Sequence, residues 1–375
     1  MSRLENPFVV RGYMGPEYFC DREAETQSLL QAMRSRRNVT LISPRRMGKS
    51  GLIHHVFDHV RNNSPEIYCF YLEIFSTHSL AEFIEVFANA VFQALETKVE
   101  KFMKNIYSIL SHCRPTITPD ELTGLPTLSL DIQPGREVHT LNDIFSYLIS
   151  SGKRIYIAID EFQQIGEYPE KGVEALLRRY VEMANNVSFI FSGSKKHLMQ
   201  QMFTMPERPF YQSTQTLSLT AIDKEGYRKF AQKHFAASGQ SLTDEAFDYI
   251  YDTVMGHTWY VQYWLSKAFD DGADTIDLPQ AKLVLENILG EEDDNFYNYT
   301  VMLTAAQKSL LIALAKERVV SSPYSVEFIK KYNLPSPSTI RSSLQTLINK
   351  EYVIENRGDF TVYNRFFMLW LSHRH

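Results

Sequence analysis

The chain has 375 residues, of which 44% are apolar and 22% charged, with a net charge of −5. That length gives room for two or three domains with proper cores, and the composition is that of an ordinary soluble protein. No apolar run approaches the roughly 18 residues of a membrane span, and no low-complexity tract or internal repeat is visible. Met1-Ser-Arg-Leu-Glu-Asn-Pro7 lacks the apolar stretch of a signal peptide, and Cys20, Cys69 and Cys113 are odd in number and far apart. Reduced thiols in a cytoplasmic protein are therefore expected, without a disulfide framework or a metal-type cysteine spacing.

In chain order, Val39–Ile42 reads as a buried strand and Leu52–Val60 has helical spacing. Between them Ser43-Pro44-Arg45-Arg46-Met47-Gly48-Lys49-Ser50, followed by Gly51, matches the P-loop pattern G-x-x-x-x-G-K-[ST], with Ser43 in place of the first glycine. In such a loop, backbone N–H groups and the following helix N-terminus cradle a polyphosphate, Lys49 neutralises its terminal oxygens and the Ser50 hydroxyl reaches Mg²⁺. Outside a strand–loop–helix context the same run would be a turn that binds nothing.

Glu66–Glu73 reads as a second parallel strand and Leu80–Leu95 as an amphipathic helix. Residues 98–139 contain Pro115, Pro119, Pro126 and Pro134 and show weak periodicity. They read as an insertion in which Thr127–Ile132 alternates like a short strand or hairpin arm. Ile155–Ile159 reads as a central strand buried on both faces and ending in Asp160-Glu161. In an open α/β sheet this end faces the ligand crevice, so Asp160 is the candidate for magnesium and Glu161 for orienting or deprotonating the attacking water. The bland alternative is a pair of capping carboxylates. Glu167–Lys171 is expected as a loop before a helix at Val173–Ala184. The strand at Val187 ends in Ser192-Gly193-Ser194; either hydroxyl could face a γ-phosphate, or the run could be an ordinary capped turn.

From about Leu219 the pattern becomes helical: Lys224–Ser238, Asp244–Met255 and Tyr260–Asp270. Trp259, Tyr260, Tyr263 and Trp264 read as core rather than as a base-stacking platform. Glu291–Asp294 is an acidic separator or a helix cap. From Leu303 onward there are ten Lys/Arg against five Asp/Glu. This basic tail reads as a winged helix: helices at Thr304–Lys316, Ser325–Tyr332 and Ser338–Lys350, then a hairpin at Tyr352–Tyr363 with a turn at Gly358. Thr339, Ser342, Ser343, Gln345, Lys330, Lys331 and Arg357 are the residues that would meet DNA, if DNA is bound. Phe366–Leu371 reads as a docking helix.

Taken together, the loop, the Asp160-Glu161 pair and the Ser192–Ser194 strand end resemble the archaeal-type ATPases of the STAND branch of AAA+-like P-loop proteins. The likeness is strongest to a bacterial subgroup whose loop reads S-P-R-R-M-G-K-[ST]. Tyr18–Glu25, with Arg22, is similar to that family's F-x-x-R-E-x-E segment, and Gly256–Gln262 to its lid motif G-x-P-x-x-x-Q. The resemblance implies an α/β P-loop core with a parallel sheet over residues 1–219, a helical lid over 220–300 and a winged helix over 301–375. It implies ATP and Mg²⁺ as cofactors, with the nucleotide between core and lid, and a switch acting on a protein partner, with DNA as a further possible partner and no membrane. It also extends the nucleotide contacts to Asn6, Pro7, Phe8, Arg22 and His257, and the catalytic set to Lys49, Glu161, Ser192, Ser194 and Arg208.

There are three departures from the family pattern. Ser43 bears on loop geometry rather than on phosphate contact. Thr258 stands at the lid proline, and Gln212-Ser213 stand where an arginine is common. Arg45, Arg46, Lys195 and Arg208 are the available substitutes for that arginine, each also readable as a surface or capping cation.

Overall fold

A computed structural model describes residues 4–95, 113–119 and 126–375. These form two compact units: Arg11–Asp223, and Lys224–His375 together with the segment through Val10.

The first unit is built on five strands: β1 (Val39–Ile42), β2 (Ile67–Glu73), β5 (Arg154–Asp160), β6 (Val187–Gly193) and β7 (Gln215–Ser218). All pair in parallel, in the order β2-β5-β6-β1-β7. The strand carrying the P-loop and the strand carrying the two carboxylates are therefore separated only by β6. A parallel sheet needs cover on both faces, and side-chain alternation divides this cover cleanly. On one face Ile155, Ile157, Ile159, Phe189 and Phe191 pack under α3 (Leu80–Leu95), α4 (Glu137–Ser150) and α5 (Val173–Met183). On the other face Leu41, Cys69, Tyr156, Ala158 and Ile190 pack under α1 (Glu23–Arg34) and α2 (Lys49–Asn63). α3 owes its place to an unbroken i, i+3, i+4 stripe: Leu80, Phe83, Ile84, Phe87, Ala88, Val91, Phe92 and Leu95 are all buried.

The proline-rich insertion contributes an antiparallel hairpin, β3 (Arg114–Pro119) with β4 (Pro126–Asp131). Asn89 of α3 holds it, donating to the Leu128 carbonyl at 2.6 Å and accepting from its N–H at 2.7 Å. Residues 98–112 and 120–125 of the expected insertion lie outside the described residues. Two elements differ from the sequence expectation. Helix α4 begins at Glu137, within the stretch read as insertion; it carries Thr, Asn, Asp and Ser among its apolar positions, which weakens its propensity signal. A 3-10 helix, Phe162–Glu167, occupies the start of the segment after β5, ahead of the expected loop.

The first unit also carries α6 (Lys196–Thr204), and the helices of the second unit follow it in chain order. These are α7 (Lys224–Ala237), α8 (Asp244–Thr253) and α9 (Thr258–Asp270), followed by α10 (Leu278–Glu291) and α11 (Asp293–Val301). The acidic run Glu291–Asp294 joins α10 to α11, and Asp293 accepts the Trp370 indole N–H at 2.6 Å and pairs with Arg374 at 2.7 Å. Trp264 and Tyr260 are fully buried, as the core reading of those aromatics expects.

The winged helix follows: α12 (Ala305–Glu317), α13 (Val326–Lys331), α14 (Pro337–Asn349) and the hairpin β8 (Val353–Asn356) with β9 (Asp359–Val362). The hairpin turn places both Arg357 and Gly358 at positive φ, the two-residue geometry whose twist matches that of the strands. The last helix, α15 (Arg365–Arg374), buries Phe366 to Leu371. Phe366 meets Tyr260 edge-to-face at 5.1 Å, so the winged helix is docked within this unit.

Among the described residues no helix is long and apolar enough to cross a membrane.

Candidate nucleotide-binding site

The site forms where β1, β5, β6 and β2 end. The register sets Ile42 beside Gly193 and Asp160 beside Glu73, bringing the ends into line. Alternation then chooses the face. Asp160 follows Tyr156 and Ala158 to the α2 side, Ser192 follows Ile190, and Tyr71 follows Cys69. The Ser50 hydroxyl, on the first turn of α2, donates to Asp160 Oδ2 at 2.8 Å, and the Tyr71 hydroxyl donates to the same oxygen at 2.6 Å. Burial alone would raise the Asp160 pKa. The hydroxyls of Tyr71, Ser192 and Ser50, with the Lys49 charge, outweigh it and hold the carboxylate below its usual range.

The loop explains its own departure from pattern. Its left-handed positions are Arg46 (φ 65°) and Gly48 (φ 92°), not Ser43. The first glycine is therefore not needed for conformation, and the Ser43 hydroxyl, buried, donates to the Pro44 carbonyl at 3.0 Å. Lys49 is 6% exposed and donates to the carbonyls of Ser43 (3.1 Å) and Pro44 (3.3 Å), curling into its own loop. Burial lowers its pKa, and the charges of Asp160 and Glu161 offset that only in part. Gly51 lies against Phe19, whose ring would be 3.4 Å from an added Cβ.

Glu161 leaves the strand in a left-handed conformation (φ 54°), which turns its side chain away from the alternation. Its backbone N–H donates to Asp160 Oδ1 at 3.0 Å. The Ser194 hydroxyl donates to Glu161 Oε2 at 2.7 Å and accepts from Arg45 Nε at 3.4 Å, while the Arg45 guanidinium sits over the Phe75 ring at 5.6 Å. The buried Gln163 amide also donates to Glu161 Oε2.

Other residues read from the sequence are placed differently. Arg22 is 4% exposed and acts from beneath the loop: its guanidinium donates to the carbonyls of Met47 (3.4 Å) and Thr220 (2.7 Å) and pairs with Glu25 at 2.8 Å. Arg208 is held by Glu174 of α5 in a forked pair, one arm at 3.1 Å, so its donors are already engaged away from the loop. Asn6, Pro7, Phe8 and His257 belong to the second unit. There Phe8 is core, packed on Phe235 and Phe269 at 5.1 and 5.8 Å, which leaves its ring no open face for a base. Asn6 donates to Asp270 at 2.7 Å, and His257 stands at the N-terminus of α9 against Tyr260.

Sequence reading missed Tyr71, Gln163 and Glu73. Glu73 ends β2 beside Asp160, and its carboxyl pKa is raised by burial and by the charges of Asp160 and Glu161. The register of β2 on β5 marks Tyr71 and Glu73, and register is not local information; Gln163 is marked only by the turn at Glu161 that brings it to the carboxylate.

The donor set suits a hard cation. One buried, ionised carboxylate hydrogen-bonded to a hydroxyl offers oxygen ligands, and magnesium takes few protein ligands, filling the rest with phosphate and water. Among the described residues no cluster of three or more His, Cys, Asp or Glu is arranged for a metal.

Comparison with known proteins agrees with this geometry. Residues 19–263 match the model of an ATPase domain predominantly from Archaea, and residues 294–373 that of a probable winged helix domain. Among curated proteins the sequence has no match. Among solved structures it is similar to a Walker-type ATPase of Pyrococcus abyssi, at 17% identity and a TM-score of 0.65 over 97% of this chain and 99% of that one. It is also similar to the ORC1 protein of Aeropyrum pernix, solved in complex with DNA, at 14% identity and a TM-score of 0.55 over 99% and 97% of the two chains. At such identities these structures speak for the fold, whereas the family model spans well over half of the sequence. The chain belongs to the family of ATPase domains found predominantly in Archaea, and it is an ATP-binding P-loop ATPase with a C-terminal winged helix domain.

Proposed function

We propose that the protein is a slow, Mg²⁺-dependent ATPase of the STAND type, in which the state of the bound nucleotide switches the protein between two conformations. The observation that carries this reading is the convergence of Lys49, Ser50, Asp160, Glu161 and Ser194 at the aligned strand ends, linked by hydrogen bonds from Ser50 to Asp160 and from Ser194 to Glu161. When bound, magnesium supplies charge neutralisation at the phosphates. Ser50 and Asp160 are the residues to hold it. Lys49 exchanges its loop carbonyls for the terminal phosphate oxygens, and Glu161 takes the proton of the attacking water. Ser194, already on Glu161 and reached by Arg45 from the loop, is the group through which Glu161 registers a filled γ-phosphate position. The helical segment 220–300 is proposed as the lid and 301–375 as the effector winged helix.

The test compares amide hydrogen exchange of the full chain bound to ATP, in a hydrolysis-deficient variant, with that bound to ADP. A switch requires protection differences outside residues 39–51. Identical profiles leave a nucleotide-binding scaffold instead. In the same preparation, Asp160→Ala is expected to remove the magnesium-dependent part of ATP affinity, so that titrations with magnesium and with a chelator coincide. Persistence of the magnesium effect would reject Asp160 as the ligand.

The basic tail favours a second reading, an ATP-gated DNA-binding regulator. Winged helices place a helix in the major groove, and the structural relative from Aeropyrum pernix was solved with DNA. Within this tail Lys331 is paired with Glu317 and Arg341 lies over Tyr324 at 5.3 Å, so part of the charge is engaged internally. Reversing Lys330, Lys331 and Arg341 to Glu in the full chain should abolish duplex binding and flatten its salt dependence. Absence of duplex affinity at low salt, with or without ATP, removes this reading. The full chain is the material of choice, because Phe367 packs on Phe296 ahead of residue 301.

A further inference from the structure

We infer that Gln163 is the positioning residue of the catalytic carboxylate, and that the missing side chain at Gly193 leaves it room. The inference rests on the reading of Glu161 as the base. Three observations converge on it. First, Gln163 and Ser194 both donate to Oε2 of Glu161, and among the described residues no hydrogen bond falls on Oε1. Two donors on one oxygen fix the plane of the carboxylate and leave the other oxygen for water.

Second, the Gln163 side chain is almost wholly buried, and its own carbonyl oxygen has no hydrogen-bond partner. Buried polar atoms are ordinarily satisfied, and an exception calls for a cause. Here the cause is the carboxylate. Turning the amide over would set its oxygen against Glu161 Oε2 and repel it, so the N–H must face Glu161 and the oxygen is left orphaned. A side chain present only to fill space would not need an amide at all.

Third, the Gln163 oxygen occupies the space where a side chain at position 193 would begin. A Cβ added to Gly193 would overlap that oxygen and would lie 2.5 Å from Met199 Sδ. Gly193 has no positive φ. Its lack of a side chain therefore answers to the approach of Gln163 and Met199, not to backbone conformation. The Ser192-Gly193-Ser194 run thus does two things at once: Ser194 clamps the carboxylate, and Gly193 makes room for the second clamp.

The experiment measures ATP turnover, ATP affinity and melting temperature of the full chain for Gln163→Met, Gly193→Ala, Glu161→Gln and the double variant Gln163→Met/Glu161→Gln. Gln163→Met keeps length and volume while removing the amide. Expected is a fall in kcat of about tenfold or more, the scale seen when the partner that orients a functional group is lost, with ATP affinity within about twofold of wild type. Gly193→Ala should reproduce it, since both neighbours it displaces are flexible side chains. In the Glu161→Gln background, Gln163→Met should cost nothing further, because its effect runs through Glu161. Wild-type turnover in Gln163→Met, or an equal loss in the presence and absence of Glu161, overturns the inference while leaving the base reading intact. Wild-type turnover in Glu161→Gln overturns the base reading, and the inference with it. Retained ATP affinity is the control that each variant has folded.

Discussion

Replacing Glu161 with glutamine lowers ATP turnover by about 100-fold or more, roughly 2.7 kcal/mol of transition-state stabilisation, while ATP stays bound. The glutamine keeps the shape of the side chain and retains one acceptor oxygen, which can still receive the Ser194 and Gln163 donors that now converge on Oε2. What it loses is the basic carboxylate. The geometry therefore separates binding from chemistry: Lys49 and Ser50 belong to α2, whereas Glu161 lies beyond the end of β5 and is linked to the loop through Ser194 and Arg45. Single-turnover and steady-state rates in saturating ATP check it. A variant that hydrolyses at the wild-type rate shows that Glu161 is not the base.

Lys49→Ala lowers ATP affinity by at least about tenfold, or about 1.4 kcal/mol. Two effects add. The point charge that faces the β/γ-phosphates is lost, and the acidic cluster of Glu73, Asp160 and Glu161 is left without the cation buried among it. Like charge then repels the incoming polyphosphate. The loop should survive, because its conformation depends on Arg46 and Gly48 at positive φ and on Arg22 beneath Met47, none of which needs the lysine. A titration of the full chain with ATP decides it; unchanged affinity removes the P-loop assignment.

Local pattern made much of the fold legible. Val39–Ile42, Leu80–Leu95 and the strand before Asp160 are found where hydrophobic runs and 3.6-residue spacing predict them, because burial on one face or two leaves a mark on neighbouring residues. The wing was legible for the same reason, since Arg357-Gly358 is a two-residue turn within a contiguous hairpin. The P-loop and the Asp160-Glu161 pair were legible because each is a contiguous piece of chemistry.

By itself, then, the sequence determined the α/β core, the winged helix and the chain segments that carry phosphate and cation chemistry. Only the tertiary structure decided which side chains meet. The parallel register of β2 on β5 joins Tyr71 to Asp160, and the left-handed turn at Glu161 hands it to Ser194 and Gln163. The same structure makes Ser43 compatible with its loop, draws Arg208 to Glu174 and puts Phe8 in a core. The contacts of Tyr71, Ser194, Arg208 and Phe8 join residues tens of positions apart, and sequence periodicity reports only what lies within a few turns.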